Sequence, residues 1–340
     1  MSLDRRRLIG WGLLSFLTLL MGAALSRAGL PGAWLLAAIL AGILLAVMRP
    51  TPRLSVPDNL FNAAQAVIGC TIAAVIDPDL LMQSPEVLVW AGLSCLGTLA
   101  AGMLAALLVA RISRIDLRDA IWGFMPAVAG AMIVMSEGRA RDSRMVAVIQ
   151  ILRLMVVLGA LAGISAALSL GTAPTLPPAE PHFPVALLVV ALLVLAAPRL
   201  RAIPALPFVG PLLIGTALGT TGLDLSLPPL LVVLAFVLVG WQVGLRFTPE
   251  VLKQAGAALP AILLGSVLLV GCGLLLAGTL ILIAGKDPMT AFLATVPGSL
   301  DSLSIIAIQT EAELTFVLTL QVTRMFAVLL LTPLLSTRFG

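Results

Sequence analysis

Residues 291 to 329, AFLATVPGSLDSLSIIAIQTEAELTFVLTLQVTRMFAVL, and residues 120 to 158, AIWGFMPAVAGAMIVMSEGRARDSRMVAVIQILRLMVVL, are diverged copies of one unit. Each has a short apolar arm, a break containing proline and glycine, a second arm, a polar link, and a long apolar helix with Gln and Arg three residues apart. The rest of the chain is organised around these two units. Equivalent residues lie 171 positions apart: Ala120 with Ala291, Pro126 with Pro297, Asp142 with Glu313, Gln150 with Gln321, and Arg153 with Arg324.

The same offset extends beyond the two units, which predicts a duplication of nearly the whole chain. Further pairs are Gly69 with Gly240, Pro78 with Pro249, Asp79 with Glu250, Gln83 with Gln254, and Asp116 with Asp287. We therefore predict a first membrane repeat over residues 1–170, a proline-rich linker over residues 171–183 and a second membrane repeat over residues 184–340.

The composition places the chain in a membrane. Of its 340 residues, 60% are hydrophobic and 11% are charged, whereas soluble domains have roughly 25% charged residues. The pattern predicts an all-α polytopic membrane protein. The polar segments are too short for a DNA-binding domain, so direct nucleic-acid binding is not expected. With a single histidine, His182, a metal centre built from imidazoles is excluded, and no cofactor is expected.

The distribution of Lys and Arg decides how the chain crosses the membrane. If all twelve apolar runs cross, basic residues divide almost evenly between the two sides. If the broken runs instead enter and return on one side, sixteen of the 20 lie inside, two lie outside and two lie within helices. We therefore predict two inverted repeats, each with about five transmembrane helices and one re-entrant helical hairpin, at about 117–138 and 288–310. Both termini are then cytoplasmic.

The hairpin tips are the predicted binding site. An arm of about ten helical residues is roughly 15 Å long, half the hydrocarbon thickness, so each tip lies near the midplane. Broken backbone at that depth persists only where protein or a polar cavity surrounds it. A buried arginine costs roughly 2.5 to 3.5 kcal/mol on insertion scales and needs a partner. The predicted substrate-binding residues are Pro126, Gly130, Gln150, Arg153, Pro297, Gly298, Ser299, Asp301, Gln321 and Arg324.

Two interpretations of the buried arginines remain open. Arg153 and Arg324 either bind a small polar or anionic solute together with the tips, or cap hairpin carbonyls and pair with Asp301 to hold the fold. Asp301 is itself either a proton or cation carrier or a helix cap. The five tryptophans, Trp122 among them, mostly lie near run ends and are interpreted as interface anchors, and the link 137–144 as a solvated loop.

At these residues the chain resembles a known family. The blocks Pro126-Ala-Val-Ala-Gly-Ala-Met with Gln150-Ile-Leu-Arg153, and Pro297-Gly-Ser-Leu-Asp301-Ser with Gln321-Val-Thr-Arg324, are similar to the duplicated module of the AbrB family of bacterial inner-membrane proteins. That family usually has Pro-Gly-Gly at each hairpin, from which Pro126-Ala127-Val128 departs. The resemblance implies a multi-pass protein; members are described as regulators of gene expression, and some are labelled ammonia monooxygenase. The single histidine does not supply an oxygenase ligand set.

Two functions follow as expectations. The first is a secondary transporter-like carrier of a small polar or anionic solute, coupled to a proton or Na⁺. The second is a membrane-embedded regulator that senses a ligand or binds a partner protein. An enzyme is not expected, because no catalytic nucleophile and base pair is evident. We expect the lipid bilayer to surround such a chain, and the sequence is compatible with a homodimer.

Overall fold

The computed structural model describes most of the chain. The described residues are 3–28, 32–48, 54–74, 85–126, 140–167, 206–219, 227–246, 255–298 and 312–339, with the isolated positions 188, 190, 191, 249, 253, 303 and 307. Within these residues the regular structure is helical, and none of them forms a strand. The all-α class predicted from the sequence is therefore confirmed.

The described helices follow the apolar runs of the sequence. They are α1 (Leu3–Arg27), α2 (Ala33–Met48), α3 (Asp58–Ala73), α4 (Pro85–Ile112), α5 (Leu117–Phe124), α6 (Ser143–Ala167), α7 (Leu206–Gly219), α8 (Pro229–Gly244), α9 (Leu259–Ala284), α10 (Pro288–Thr295) and α11 (Leu314–Phe339). One 3-10 turn, Gly256–Ala258, precedes α9. The two shortest helices, α5 and α10, occupy the first arms of the two broken units.

Within the described ranges, four helical segments are long and apolar enough to cross a membrane, in agreement with the composition. They are Arg7–Arg27, Glu86–Ile112, Arg144–Leu161 and Gly256–Ala284, and shorter apolar helices lie at Ala33–Met48, Leu206–Gly219, Pro229–Gly244 and Leu314–Val328. Large apolar side chains on these helices are exposed; Leu282 and Leu275 on α9 are 86% and 75% accessible. Such surfaces are stable against lipid rather than water.

The helices form two compact units. The first unit contains α1, α2, α3, α7 and α8, and pairs α2 with α8 and α3 with α7. Both pairs meet at a glycine: a Cβ on Gly240 would lie 2.7 Å from the carbonyl oxygen of Leu35, and one on Gly69 would lie 2.5 Å from that of Phe208. Without a side chain at these two positions, the helix backbones approach closely.

The second compact unit contains α4, α5, α6, α9, α10 and α11. It therefore includes the described parts of both duplicated stretches, 120–158 and 291–329. Its centre is the pair α4 and α9, which are antiparallel: Gly97 lies against Leu276, and Gly265 lies against Val109. Helix α5 packs against α4 and α6, and α10 packs in the same way against α9 and α11. Each compact unit therefore draws helices from both halves of the chain, and the linker predicted at 171–183 lies outside the described residues.

Candidate functional site

The two short helices begin at aspartates in equivalent positions. The Asp116 carboxylate accepts a hydrogen bond from the backbone N–H of Arg118 at 2.9 Å. The Asp287 carboxylate accepts from Met289 at 3.0 Å and from Thr290 at 2.9 Å. An aspartate in this position satisfies N–H groups that the first helical turn leaves unpaired.

Both short helices end where the sequence places a proline. Met125 and Val296, the residues after α5 and α10, are extended, with ψ of 122° and 134°. A residue before proline is driven out of the helical region by the proline ring, so Pro126 and Pro297 stop the two helices. Eight helical residues measure about 12 Å, less than half of the roughly 30 Å hydrocarbon layer.

The chain returns to the first turn of each short helix before the next long helix begins. Asp119 Oδ1 accepts hydrogen bonds from the backbone N–H groups of Arg141 at 2.7 Å and Asp142 at 3.0 Å. In the second half of the chain, Thr290 Oγ1 accepts a hydrogen bond from the backbone N–H of Glu313 at 2.8 Å. These contacts join the beginning of α5 to the beginning of α6, and the beginning of α10 to the beginning of α11.

An ion pair lies beside each of these contacts, and the order of acid and base along the chain is opposite in the two pairs. Arg141 lies 3.0 Å from Asp116, so the acid precedes the short helix and the base follows the return. Lys286 lies 2.5 Å from Glu313, so here the base precedes and the acid follows. Arg141 and Asp142, interpreted from the sequence as part of a solvated loop, are exposed, and they also make these backbone and side-chain contacts.

Gln150 and Arg153 bind the carboxyl end of α5. Gln150 Nε2 donates to the Trp122 carbonyl at 2.9 Å. Arg153 Nη1 donates to the carbonyls of Gly123 at 3.3 Å and Met125 at 2.9 Å. The last carbonyls of a helix have no partner within the helix, and these two side chains satisfy three of them.

Gln321 and Arg324 repeat the arrangement at α10. Gln321 Nε2 donates to the Leu293 carbonyl at 2.5 Å. Arg324 Nη1 donates to the carbonyls of Val296 at 3.0 Å and Thr295 at 3.5 Å, and its Nη2 donates to Gln321 Oε1. The carbonyls of Trp122 and Leu293, and those of Met125 and Val296, are again 171 positions apart.

The order of these contacts gives the direction of the helices. Along α5, residues 119, 122 and 125 contact residues 141, 150 and 153 in ascending order. Along α10, residues 290, 293 and 296 contact residues 313, 321 and 324, also in ascending order. Each short helix is therefore parallel to the long helix that follows it.

Glycines on the central helices lie behind the two breaks. A Cβ on Gly102 of α4 would lie 3.3 Å from the Phe124 carbonyl oxygen, and one on Gly273 of α9 would lie 3.2 Å from Pro297 Cδ. Thr295 Oγ1 donates to the Gly273 carbonyl at 2.9 Å. The broken backbone is thus held between a glycine surface on one side and the Gln/Arg pair on the other.

Unpaired buried polar atoms concentrate around the breaks. In the described ranges, the buried side-chain atoms without a hydrogen-bond partner are Trp122 Nε1, Gln150 Oε1, Arg153 Nε and Arg324 Nε. All four belong to the short helix α5 or to the Gln/Arg faces of α6 and α11. Buried polar atoms are normally paired, so four orphans around the breaks call for a partner that is not one of these side chains.

The described part of the site is electropositive. Arg153 and Arg324 are 1% and 3% exposed, and among the residues with described coordinates neither guanidinium forms an ion pair with a carboxylate. The described residues contain no group of three His, Cys, Asp or Glu side chains that could hold a metal ion. What the arrangement can bind is therefore a polar or negatively charged group.

A cavity of about 1000 Å³ lies at the base of α5. It is lined partly by Asp116, Asp119 and Asp142, with Arg114 and Arg141. The N–H of Arg118 and then the guanidinium of Arg141 lower the pKa of Asp116, whereas burial raises the pKa of Asp119. The pKa of Asp116 is therefore below the ordinary value for an aspartate and the pKa of Asp119 is above it, although the two residues are only three positions apart.

Six of the residues predicted for substrate binding come together here, and one further prediction is wrong. The six residues at the two breaks are Pro126, Gln150, Arg153, Pro297, Gln321 and Arg324. Gly298 directly follows the second break. The other three predicted residues, Gly130, Ser299 and Asp301, lie outside the described residues. Trp122 is not an interface anchor: it is 0% exposed, because α5 is enclosed by α4 and α6. Sequence reasoning missed Asp119 and Thr290, for which the 171-residue offset was the available signal.

Comparison with known proteins supports one family. The family model described as transition state regulatory protein AbrB matches residues 34–340. A protein of Escherichia coli (strain K12) named "Putative regulator AbrB" is 32% identical over 337 residues, which covers 96% of this chain and 95% of that protein. The match spans both short helices and both Gln/Arg helices, and the chain belongs to the AbrB family.

Proposed function

We propose that this chain is a secondary transporter-like carrier of a small polar or anionic solute, with its binding site at the breaks after α5 and α10. The observation that carries the proposal is the group of four buried, unpaired polar atoms beside those breaks. A polar solute would complete their hydrogen bonds. Broken helices with polar ends are the usual site architecture of carriers built from internal repeats.

The proposed architecture is two inverted repeats, each of about five transmembrane helices and one re-entrant hairpin. Parallel directions of α5 and α6, and of α10 and α11, support a return of the chain between the two helices of each pair. Helices α4 and α9 are equivalent by the 171-residue offset and antiparallel, which supports inversion. We place the protein in the inner membrane with both termini in the cytoplasm.

Labelling of single cysteines tests this topology. Arg53→Cys and Arg139→Cys, in a chain whose three native cysteines are replaced by serine or alanine, should react with a membrane-impermeant maleimide on the same, cytoplasmic side. Lys286→Cys should react on the opposite side. Labels on opposite sides at positions 53 and 139 would refute the hairpin topology.

Solute movement in proteoliposomes tests the carrier. Purified protein should accumulate a labelled solute when a proton or Na⁺ gradient is imposed, and Arg324→Gln should abolish accumulation. Arg338→Gln, on the exposed end of the same helix α11, is the matched control and should accumulate solute like the wild type. Equal accumulation by Arg324→Gln and the control would remove the proposed site from the transport path.

A second function is favoured by the name of the relative, which is called a regulator. In this case the chain would sense a ligand in the membrane and act on gene expression through a partner protein, without binding DNA directly. Deletion would change transcript levels while proteoliposomes moved no solute, and a cytoplasmic partner would co-purify through the 136–144 link. Loss of that partner on replacing the link with a Gly/Ser segment would separate the two functions.

A catalytic role is not part of the proposal. Among the described residues, the groups at the breaks are guanidinium, amide, indole, the Thr295 hydroxyl and backbone carbonyls, and no base lies beside that hydroxyl, which donates to backbone carbonyls. The bilayer, a solute and a coupling proton or Na⁺ are the proposed partners, and a homodimer is compatible with the same site.

A further inference from the structure

We infer that the solute is a small organic monoanion with a carboxylate, bound at the breaks by the unused N–H groups of the buried Arg153 and Arg324. This inference rests on the proposed function and narrows its substrate class. It follows from the charge left at the site, from the balance of unused donors and acceptors, and from the atoms of each arginine that the fold already occupies.

The first argument is the charge left at the breaks. Two buried guanidinium groups contribute two positive charges. Each binds the carboxyl end of a short helix, whose macrodipole is equivalent to about −0.5 charge. Among the described side chains, about one positive charge therefore remains over the two breaks, which one negative charge balances; Asp301 lies outside the described residues and is not part of this balance. A dianion would over-compensate the site, and a neutral solute would leave the charge buried and unpaired.

The second argument is the balance of unused hydrogen-bonding atoms. Three donors are unpaired among the described side chains, namely Arg153 Nε–H, Arg324 Nε–H and Trp122 Nε1–H, against one acceptor, Gln150 Oε1. An ionised carboxylate only accepts and has about four sites for doing so. A carboxylate therefore has enough acceptor sites for all three donors. A hydroxyl group elsewhere on the solute can donate to Gln150 Oε1.

The third argument is the division of labour within each arginine. The Nη1 atoms of Arg153 and Arg324 are used on backbone carbonyls and Nη2 of Arg324 is used on Gln321 Oε1, while both Nε atoms are unused. A guanidinium has five N–H donors, so some can hold the protein while the Nε–H faces a carboxylate. The capping interpretation and the binding interpretation are thus compatible, because they use different nitrogen atoms of the same side chain.

Thermal unfolding of the purified protein in lipid nanodiscs provides the test. The probes are acetate, propionate, lactate and pyruvate as sodium salts, with propionamide and lactamide as neutral isosteres, succinate as a dianion and sodium chloride at equal ionic strength as the salt control. At least one monocarboxylate should raise the unfolding midpoint saturably. Its amide should require at least about 100-fold higher concentration for the same shift, since a neutral amide leaves the positive charge uncompensated.

Variants assign the effect to the breaks. Arg153→Gln and Arg324→Gln should each weaken the apparent affinity at least about ten-fold, whereas Arg338→Gln should leave it unchanged. Because the two Gln variants also lose carbonyl caps, Trp122→Phe provides a milder probe that removes one N–H and keeps an aromatic ring. It should weaken the monoanion about three- to ten-fold and leave the midpoint without ligand within about 2 °C.

The outcomes separate the inference from the carrier proposal. Equal shifts by an acid and its amide, a preference for succinate, or no response to any of the four monocarboxylates would overturn the inference, even if a neutral or cationic solute were transported. Saturable monoanion binding that Arg338→Gln retains and Trp122→Phe weakens would support it. Such binding without uptake of the same labelled anion into proteoliposomes would refute the carrier and leave the monoanion site standing.

Discussion

Asp119 and Thr290 lie 171 positions apart and accept hydrogen bonds from equivalent points of the chain. Asp119 Oδ1 holds the backbone N–H groups of Arg141 and Asp142, and Thr290 Oγ1 holds that of Glu313. Each contact ties the first turn of a short helix to the start of the long Gln/Arg helix. One of the two acceptors is ionisable and the other is not, so the two breaks should respond differently to substitution and to pH.

Removing these acceptors should destabilise the protein unequally. Asp119→Ala leaves two backbone N–H groups without an acceptor and Thr290→Ala leaves one, and each unpaired buried group costs about 1–3 kcal/mol. We expect a larger drop in the unfolding midpoint for Asp119→Ala than for Thr290→Ala in nanodiscs. Asp119→Asn, which keeps an acceptor oxygen, should retain most of the stability. A larger effect of Thr290→Ala would contradict this account of the two contacts.

The pH dependence of stability should identify Asp119. Burial raises its pKa above the ordinary value of 3.8, so the folded state favours the protonated form. The corresponding stability is present below pH 3.8 and is lost as the pH rises through the raised pKa. The pKa of Asp116 is lowered, so its own contribution is present above pH 3.8 and is lost below it.

Unfolding midpoints of the wild type and Asp119→Asn should be compared in steps from pH 4 to pH 8. The wild type should lose stability relative to Asp119→Asn as the pH rises in this window, because the variant cannot ionise there. Among the described residues, the charged groups that share the cavity with Asp119 are Arg114, Asp116, Arg141 and Asp142, and both proteins retain them all. Parallel curves for the two proteins would assign the pH dependence to those neighbours instead.

Much of the site could be predicted from local sequence. Pro126 and Pro297 stop their helices because of a steric rule that acts between adjacent residues. Arg153 and Arg324 were recognisable because an arginine in an apolar run needs a partner. The 171-residue offset then identifies equivalent residues at the two breaks. The hydrogen bonds to the helix-end carbonyls are made by these equivalent residues in both halves.

The remaining features depend on contacts distant in sequence. Asp119 looks like an ordinary acid in a first helical turn, where negative charge is favourable; it is buried because Arg141, 22 residues later, returns to it. Trp122 looks like an interface anchor because it lies in a short apolar run. Its burial depends on α4 and α6 enclosing α5. Neither property follows from the neighbouring residues alone.

Glycines behind the breaks should tolerate substitution less than glycines of the same helix that face open space. A Cβ on Gly273 would approach Pro297, whereas one on Gly271 of α9 has nothing within 4 Å. We expect Gly273→Val to lower stability by about 1–3 kcal/mol through overpacking and Gly271→Val to have little effect. The pair Gly102→Val and Gly92→Val on α4 repeats the comparison. Unfolding midpoints and expression levels provide the measurement, and equal losses within a pair would contradict the close packing.

The two ion pairs beside the returns should contribute little, in contrast to the buried acceptors. Glu313 is half exposed, and the side chain of Arg141 is largely exposed. Pairs of this kind are typically worth about 0–1 kcal/mol and are screened by salt. Arg141→Gln and Glu313→Gln should therefore change the unfolding midpoint by less than Thr290→Ala, with differences that shrink in 0.5 M salt. A drop in the unfolding midpoint comparable to that of Asp119→Ala would mean that the ion pairs, rather than the hydrogen bonds to the backbone, join each short helix to the long helix that follows it.

The Gln/Arg pairs should differ in how strongly their members are coupled. Arg324 donates to Gln321 Oε1, whereas Gln150 Oε1 has no partner among the described residues and Arg153 donates to backbone carbonyls. A double-mutant cycle of Gln321→Leu with Arg324→Lys should give a coupling energy of about 0.5–3 kcal/mol, since contacting residues are not additive. The cycle of Gln150→Leu with Arg153→Lys should be additive within about 0.5 kcal/mol, the range seen for independent sites. Lysine keeps the charge in both cycles but cannot reproduce the guanidinium fork, so the coupling energy reports the hydrogen bonding of the guanidinium with glutamine, and equal coupling in the two cycles would contradict the difference between the two breaks.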